Sequence, residues 1–279
     1  NVFSPSVYLQ IGLDNIVSII VHRSEMGQGI RTSIPMIVAD ELEADWEQIA
    51  VVQGLGDKKF GSQNTDGSRS VRNFYQPLRE AGAIARTMLE QAAAEKWQVP
   101  LSEVYAKQNM VYRRGGNEAV SYGDLVAVAS TLKVPDVKTV TLKNKKDFNF
   151  IGKDNIALVD GKDIATGNTT FGIDVQLPNM KTAVIARPPV LASKVKSFDA
   201  SDAKKIKGVV DVIKMADIEE PVLFKPLGGV AVIADNMWAA LKGREALKIE
   251  WQESEHAKYD SKTYKEEMKL SCRAPAATL

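Results

Sequence analysis

The stretch from Asn15 to Glu43, NIVSIIVHRSEMGQGIRTSIPMIVADELE, constrains the fold more than any other part of the chain. Ile16, Val17, Ile19, Ile20 and Val21 make its first third almost continuously β-branched, which reads as a buried strand. Its last third reads as a helix starting near residue 33, because Ile34, Ile37, Val38 and Leu42 fall on one face. Thr32 or Ser33 is placed to cap that helix, with Pro35 in its first turn, where a missing N–H costs nothing. Between them lies Gly27-Gln28-Gly29. A strand, a glycine turn and a helix aim several N–H groups and the positive end of the helix dipole at whatever occupies the turn. An anionic, phosphate-bearing guest suits that arrangement, and a tight connection with no ligand is the plainer alternative. Gln28 carries both donors and an acceptor, which fits the edge of a heterocycle better than a phosphate alone.

A second stretch, SQNTDGSRSVRNFYQPLRE over residues 62–80, repeats the logic. Thr65, Ser68 and Ser70 supply hydroxyls, Gly67 open backbone, and Arg69 and Arg72 guanidinium forks, all just ahead of a long helical run. A phosphate or pyrophosphate needs that combination. A polar surface loop with a helix cap would use the same residues.

Composition narrows the partners. The 36 basic and 35 acidic side chains leave a formal charge of +1, so there is no global field for nucleic acid or a membrane surface. A single cysteine, Cys272, can neither form an internal disulfide nor hold an iron–sulfur cluster. His22 and His256 are far apart in sequence, lack zinc-ligand spacing, and read as ordinary polar residues; no metal ligand is assigned. Serine-nucleophile, P-loop and dinucleotide fingerprints are absent. A redox enzyme built on this chain therefore leaves the hard step to a cofactor.

With 279 residues, 44% of them apolar, the chain is long enough for two domains. Residues 1–132 show strands near 6–12, 15–23 and 49–53, a long helix from Phe74 to Trp97, a hairpin around Gly115-Gly116, and a short helix opened by Ser121 and Asp124. Residues 133–158 turn polar and lysine-rich and read as a linker. Residues 159–252 alternate strand-like runs, TTFGIDVQL, TAVIARPP, GVVDVIKM, GVAVIAD and ALKIEW, with helical pieces near 200–207 and 236–246. Residues 253–279 are charged, then small, and show no convincing closing element.

Five of these blocks, in order, resemble one family: SEMGQGIRTSIPMIVADEL, TDGSRSVRNFYQPLREAGAIAR, TTFGIDVQLP, ARPPVLASKVKSFDASDAKKIKGVVDVI and VAVIADNMWAALKGREALKIEW. Together they are similar to the molybdopterin-binding large subunit of xanthine oxidase-type molybdenum hydroxylases, in the branch of isoquinoline 1-oxidoreductase beta-subunits and membrane-associated aldehyde dehydrogenases. The resemblance implies an α+β chain with a molybdenum-cofactor-binding α/β domain at 1–132, a linker at 133–158, an a/b hammerhead domain at 159–252, and the start of a further cofactor-binding region at 253–279. It implies molybdopterin cytosine dinucleotide with molybdenum as cofactor. Gly27, Gln28, Gly29 and Thr32 would lie at its pterin end, with Gly67, Ser68, Arg69, Ser70 and Arg72 at its phosphates. The implied reaction oxidises an aldehyde or a nitrogen heterocycle with oxygen derived from water. Electrons would leave through iron–sulfur clusters on a small [2Fe-2S] partner subunit, with a cytochrome c as a further candidate partner.

One departure is plain. The family's glutamate base, in a Gly-Val-Gly-Glu-type segment, has no counterpart here, and Glu25, Glu41 and Asp66 lie outside that context, so no catalytic residue is assigned. The chain is accordingly expected to be one piece of a large subunit, completed by a C-terminal half, an expectation to which the unclosed SCRAPAATL end contributes. By the same resemblance its location is periplasmic or membrane-associated, with the cytoplasm as the alternative. The competing reading is a non-catalytic module that binds a phosphate-bearing ligand or serves as a subunit-interaction surface.

Overall fold

The structure, a computed structural model, describes residues 2–274, which fall into two compact units, Asn1–Thr170 and Phe171–Leu279. In the first unit, strands β1 (Val2–Ser6), β2 (Leu9–Gly12) and β3 (Val17–Val21) pair antiparallel, and helix α1 (Ile30–Leu42) leads to β4 (Ile49–Gln53), which pairs parallel with β3. A parallel neighbour needs a crossover, and α1 is that crossover. β3 buries Val17, Ile19 and Val21 and leaves Ser18 and Ile20 partly open, so only one face is fully covered, unlike the strand expected from its almost continuous apolar run. A nearly continuous β-branched run does not report which of two faces is covered.

The short helix α2 (Arg69–Arg72) precedes the long helix α3 (Tyr75–Trp97). A hairpin-built sheet of β5 (Val104–Lys107), β6 (Met110–Arg113) and β7 (Ala119–Ser121) follows, then α4 (Tyr122–Ala129), capped by the Ser121 hydroxyl as expected. Phe3, Leu9, Ile11, Val17 and Ile19 of the sheet meet Ile34, Val38 and Leu42 of α1 and Leu78, Ala85 and Leu89 of α3 in one core. α1 and α3 lie almost in backbone contact. A Cβ at Gly82 would come 2.5 Å from the Val38 carbonyl oxygen.

α1 departs from expectation at its start. It begins at Ile30, its N-cap is Gly29 with φ +81°, and neither Thr32 nor Ser33 caps it; the Ser33 hydroxyl instead donates to the Gly29 carbonyl. Pro35 therefore sits in the helix interior and removes one rung of its hydrogen-bond ladder.

The stretch read as a linker, 133–158, is laid onto α1 within the first unit. The buried carboxylate of Asp40 accepts from Lys143 Nζ at 2.9 Å and from the N–H groups of Asn149, Phe150 and Ile151 at 3.0, 3.1 and 2.9 Å. Buried Glu41 takes the Lys143 N–H at 3.0 Å and Arg79 Nε at 2.7 Å. Phe148 is buried, and Phe150 and Ile151 pack on the core. Helix α5 (Gly161–Thr166) closes the unit.

The second unit holds β8 (Thr182–Ala186), β9 (Lys194–Asp199), β10 (Val209–Lys214), β11 (Val230–Ala234), helix α6 (Met237–Glu245), β12 (Lys248–Gln252) and helix α7 (Ser261–Arg273). β10, β11 and β8 form one antiparallel sheet and β12 pairs with β9. Val195, Val212, Val230 and Val232 form its small core, with Phe198, Ile249 and Trp251 against them. TTFGIDVQL is not a strand: it forms a single 3₁₀ turn, Gly172–Asp174, and residues 171–180 are exposed throughout. β-propensity alone forms no strand without a partner edge. The helix expected at 200–207 shrinks to a turn at Ala203–Lys205, whereas β9 and α7 were not foreseen. α7 shows no apolar stripe to a core because none of its residues is buried. The SCRAPAATL end runs past residue 274, and its last five residues lie outside those described. Among the described residues no helix is long and apolar enough to cross a membrane.

Candidate functional site

The glycine turn has a guest, and it is the chain's own. The Glu25 carboxylate accepts from the N–H groups of Gly27 at 2.7 Å, Gly29 at 3.0 Å and Arg31 at 3.0 Å. Burial alone would raise this carboxyl's pKa, but the N–H groups of Arg31, Gly29, Gly27 and Gln28 outweigh it and hold Glu25 below the usual carboxylate range. A carboxylate at a helix N-terminus is also favoured by the dipole. Gln28 folds back on the same turn: its Nε2 donates to the Ser24 carbonyl at 3.1 Å, and its Oε1 accepts the Met26 N–H at 2.6 Å. Both glycines have positive φ, +97° at Gly27 and +81° at Gly29, which a side chain would strain. Thr32 is buried and its hydroxyl accepts the Val159 N–H at 3.0 Å.

Tertiary structure brings the two glycine loops together. The Thr65 hydroxyl accepts from the Ser24 N–H at 3.1 Å and donates to the Ser24 carbonyl at 3.0 Å, while Gln63 Nε2 donates to the His22 carbonyl at 3.2 Å. Arg69 clamps Asp66 through Nε and Nη2. Ser70 is buried, and Gly67, Ser68 and Arg72 are exposed beside it, Gly67 and Ser68 both with positive φ.

Two residues at the junction were not singled out from sequence. Arg23 is fully buried; its Nη1 donates to the Asn64 carbonyl, its guanidinium lies 4.6 Å from the centre of the Phe74 ring, and neither Nε nor Nη2 has a partner among the described residues. The Arg69 hydrogen bond, with the positive charges of Arg69, Arg23 and Arg72, holds the Asp66 carboxyl below its ordinary range. His22 stacks among Phe74, Tyr8 and Phe60 at 4.4, 5.1 and 6.1 Å, with both ring nitrogens unpaired among the described residues; burial, helped by the positive charge of Arg23, pushes its pKa down to about 4. Sequence offers only their position directly after a buried strand; which of their nitrogens go unpaired is set by the fold.

The acidic residues left open from sequence are all engaged. Glu25 fills the turn, Asp66 holds Arg69, and Glu41 binds Arg79 and Lys143 in the α1–α3 contact. A cleft of about 970 Å³ beside Trp46, Tyr105 and Phe150 contains none of the residues expected to hold a cofactor. Glu220, Glu255 and His256 place ligand atoms within 4.8 Å of one another, but all three are exposed, and such groups are common without an ion.

In this α+β fold the glycine turn and the arginine-bearing loop meet at the end of β3. Residues 3–175 match the molybdopterin cofactor-binding domain family, and the chain belongs to it. It is 29% identical over 97% of its length to the beta chain of isoquinoline 1-oxidoreductase from Brevundimonas diminuta, covering 38% of that protein. It is 31% identical over 91% of its length to the membrane-bound aldehyde dehydrogenase [pyrroloquinoline-quinone] of Gluconacetobacter polyoxogenes, covering 32% of it. With a nicotinate dehydrogenase polypeptide of Pseudomonas putida it shares 27% identity over 88% of its length and 20% of that protein. The chain thus spans well under half the length of these relatives, which are oxidoreductases by name. Among solved structures, a Cu,Mo-CO dehydrogenase aligns with 34% of this chain and 15% of its own at 22% identity and a TM-score of 0.30, too low to carry an argument about fold.

Proposed function

We propose that this chain supplies cofactor-holding loops to a molybdenum hydroxylase that oxidises an aldehyde or a nitrogen heterocycle. The observation that carries the reading is the junction of the two loops, where Arg23 is buried with two guanidinium nitrogens unpartnered among the described residues and Arg69 pairs with Asp66. Buried guanidinium nitrogens without partners suit a polyanionic tail such as the diphosphate of molybdopterin cytosine dinucleotide. When bound, the cofactor supplies the two-electron chemistry and the activation of water-derived oxygen. This chain's own part is to bind and orient. Arg69 and Arg72 hold the phosphates with Gly67, Ser68 and Ser70, while Gly27, Gln28, Gly29 and Thr32 shape the pterin end. The second unit is read as the hammerhead domain, and a small [2Fe-2S] partner as the electron exit, consistent with the lone Cys272. A periplasmic or membrane-associated site of action belongs to the same reading.

Metal and pterin analysis of the natural protein tests it. Molybdenum with a cytosine nucleotide released on acid treatment is the expected result, and replacing Arg69 and Arg72 together with Gln should lower nucleotide retention on dialysis more than it lowers the melting temperature. Equal retention with a lowered melting temperature would make the two arginines ordinary ion-pair residues. A second reading, a non-catalytic module that holds a phosphate-bearing ligand at loop 62–72 alone, is favoured by one observation: Glu25 already fills the turn expected to meet the pterin. Molybdenum-free natural protein with intact phosphate binding would select it.

A further inference from the structure

Arg23 presents an imbalance of charge that nothing else at the junction corrects. Its side chain is fully buried, yet two of its three nitrogens have no partner among the described residues, and the nearby carboxylate of Asp66 is clamped through both oxygens by Arg69. A guanidinium cannot shed its charge as a histidine can, so it stays cationic wherever it is placed. Burying such a cation without an anion is costly, and proteins retain one where an anion arrives. Its one hydrogen bond among the described residues goes to the carbonyl of Asn64, which is itself an exposed residue. Phe74 holds the guanidinium plane from the other side, which fixes its orientation without spending its donors.

We propose that Arg23 is the charge-recognising residue of a phosphate-class oxyanion site between loops 22–29 and 62–72, reached when the ligand takes the place of the Asn64 carbonyl. The Gly27–Gly29 turn is not the primary anion site in this scheme, because Glu25 is its resident anion and would repel a second. The inference deepens the cofactor reading above: it assigns the diphosphate to Arg23 with Arg69 and Arg72, and the turn to neutral parts of the ligand.

The experiment uses the full chain at low ionic strength, titrated with inorganic pyrophosphate and separately with cytidine diphosphate, with affinity read by calorimetry and amide hydrogen exchange followed over residues 61–68. Wild type should bind at least one of the two probes with a change of exchange in that segment. Arg23→Met, checked for folding by circular dichroism, should bind at least about tenfold more weakly, the size expected for lost charge-assisted hydrogen bonds. Glu25→Gln should bind no tighter than wild type. Binding undiminished in Arg23→Met, binding of neither probe by wild type, or clear tightening in Glu25→Gln overturns the proposal. Should Arg23→Met fail to fold, the wild-type exchange decides: binding that leaves residues 61–68 unchanged overturns it. The two readings separate cleanly. Molybdenum and pterin in the natural protein with an indifferent Arg23 would sink only this inference, whereas Arg23-dependent pyrophosphate binding in a molybdenum-free natural protein would sink only the cofactor reading.

Discussion

At the end of β3, burial acts on two adjacent cationic residues with different results. His22 answers burial by giving up its proton, and its pKa falls to about 4 from an ordinary 6.5. The unfolded chain therefore binds a proton between those two values that the folded chain refuses, so stability is lost as pH falls through that window and is unaffected above it. The shift corresponds to a loss on the order of 3 kcal/mol at the acid end. His22→Phe, which keeps an aromatic ring against Phe74 and Tyr8, should remove that slope; urea midpoints of both proteins at several values between pH 4 and 7 check it, and parallel curves would refute it. Glu25 and Gln28 separate by role. Glu25→Ala strips three N–H groups at the start of α1 of their acceptor and should cost about 1–2 kcal/mol in denaturant unfolding. Gln28 is exposed and bonds only within its own turn, so Gln28→Ala should cost less than about 1 kcal/mol, yet lower molybdenum occupancy of the holoenzyme if its amide also meets the cofactor. The glycines and the loop arginines could be picked out from sequence because their residue types have few other uses. Arg23 could not, since its meaning lies in which of its nitrogens the rest of the fold leaves unpaired.

Helix α1 shows what periodicity reveals and what it misses. Its apolar face was readable, and Ile34, Ile37, Val38 and Leu42 are buried as their spacing predicts. Its opposite commitments were not, because Asp40 and Glu41 look like solvent-facing acids until residues 141–151 fold back on them. Asp40 titrates against burial, which would raise its pKa, but the Ile151, Asn149 and Phe150 N–H groups and Lys143 hold it below the ordinary range. Asp40→Ala leaves those three N–H groups without their acceptor, while Lys143 keeps Glu43 and the residue-40 carbonyl, so a loss of roughly 2–4 kcal/mol is expected, with hydrogen exchange speeding first at 143–151. Uniform exchange across the unit would argue against a local pin. The α1–α3 crossing gives a second prediction. An alanine normally improves a helix interior by about 1 kcal/mol over glycine, but at Gly82 its methyl would press on the Val38 carbonyl at 2.5 Å and Glu41 Cβ at 2.9 Å. Gly82→Ala should therefore destabilise by about 2 kcal/mol, read from denaturant midpoints, and a gain in stability would mean the helices do not meet so closely.

On the scale of the whole chain, residues 171–180 are exposed without interruption at the edge between the two compact units, so limited proteolysis should cut there first and leave a resistant fragment ending near residue 170. First cleavage inside 133–158, the stretch whose composition resembles a linker, would contradict the buried anchoring of that segment by Asp40 and Glu41. By itself the sequence determined the α+β class, the main helices, the paired glycine loops and the family. Those follow from local rules: side-chain periodicity, the φ freedom of glycine, and residue types specific enough to survive as motifs. What only the tertiary structure decided was which groups are already satisfied. It wrapped the lysine-rich stretch onto buried acids, left TTFGIDVQL without a strand partner, and enclosed Arg23 with two of its nitrogens unpaired among the described residues. The reason is that hydrogen-bond satisfaction and burial depend on residues far apart in the chain, as Arg23 with Asn64 at 41 positions and Asp40 with Asn149 at 109 are, and no short window along the chain contains both partners.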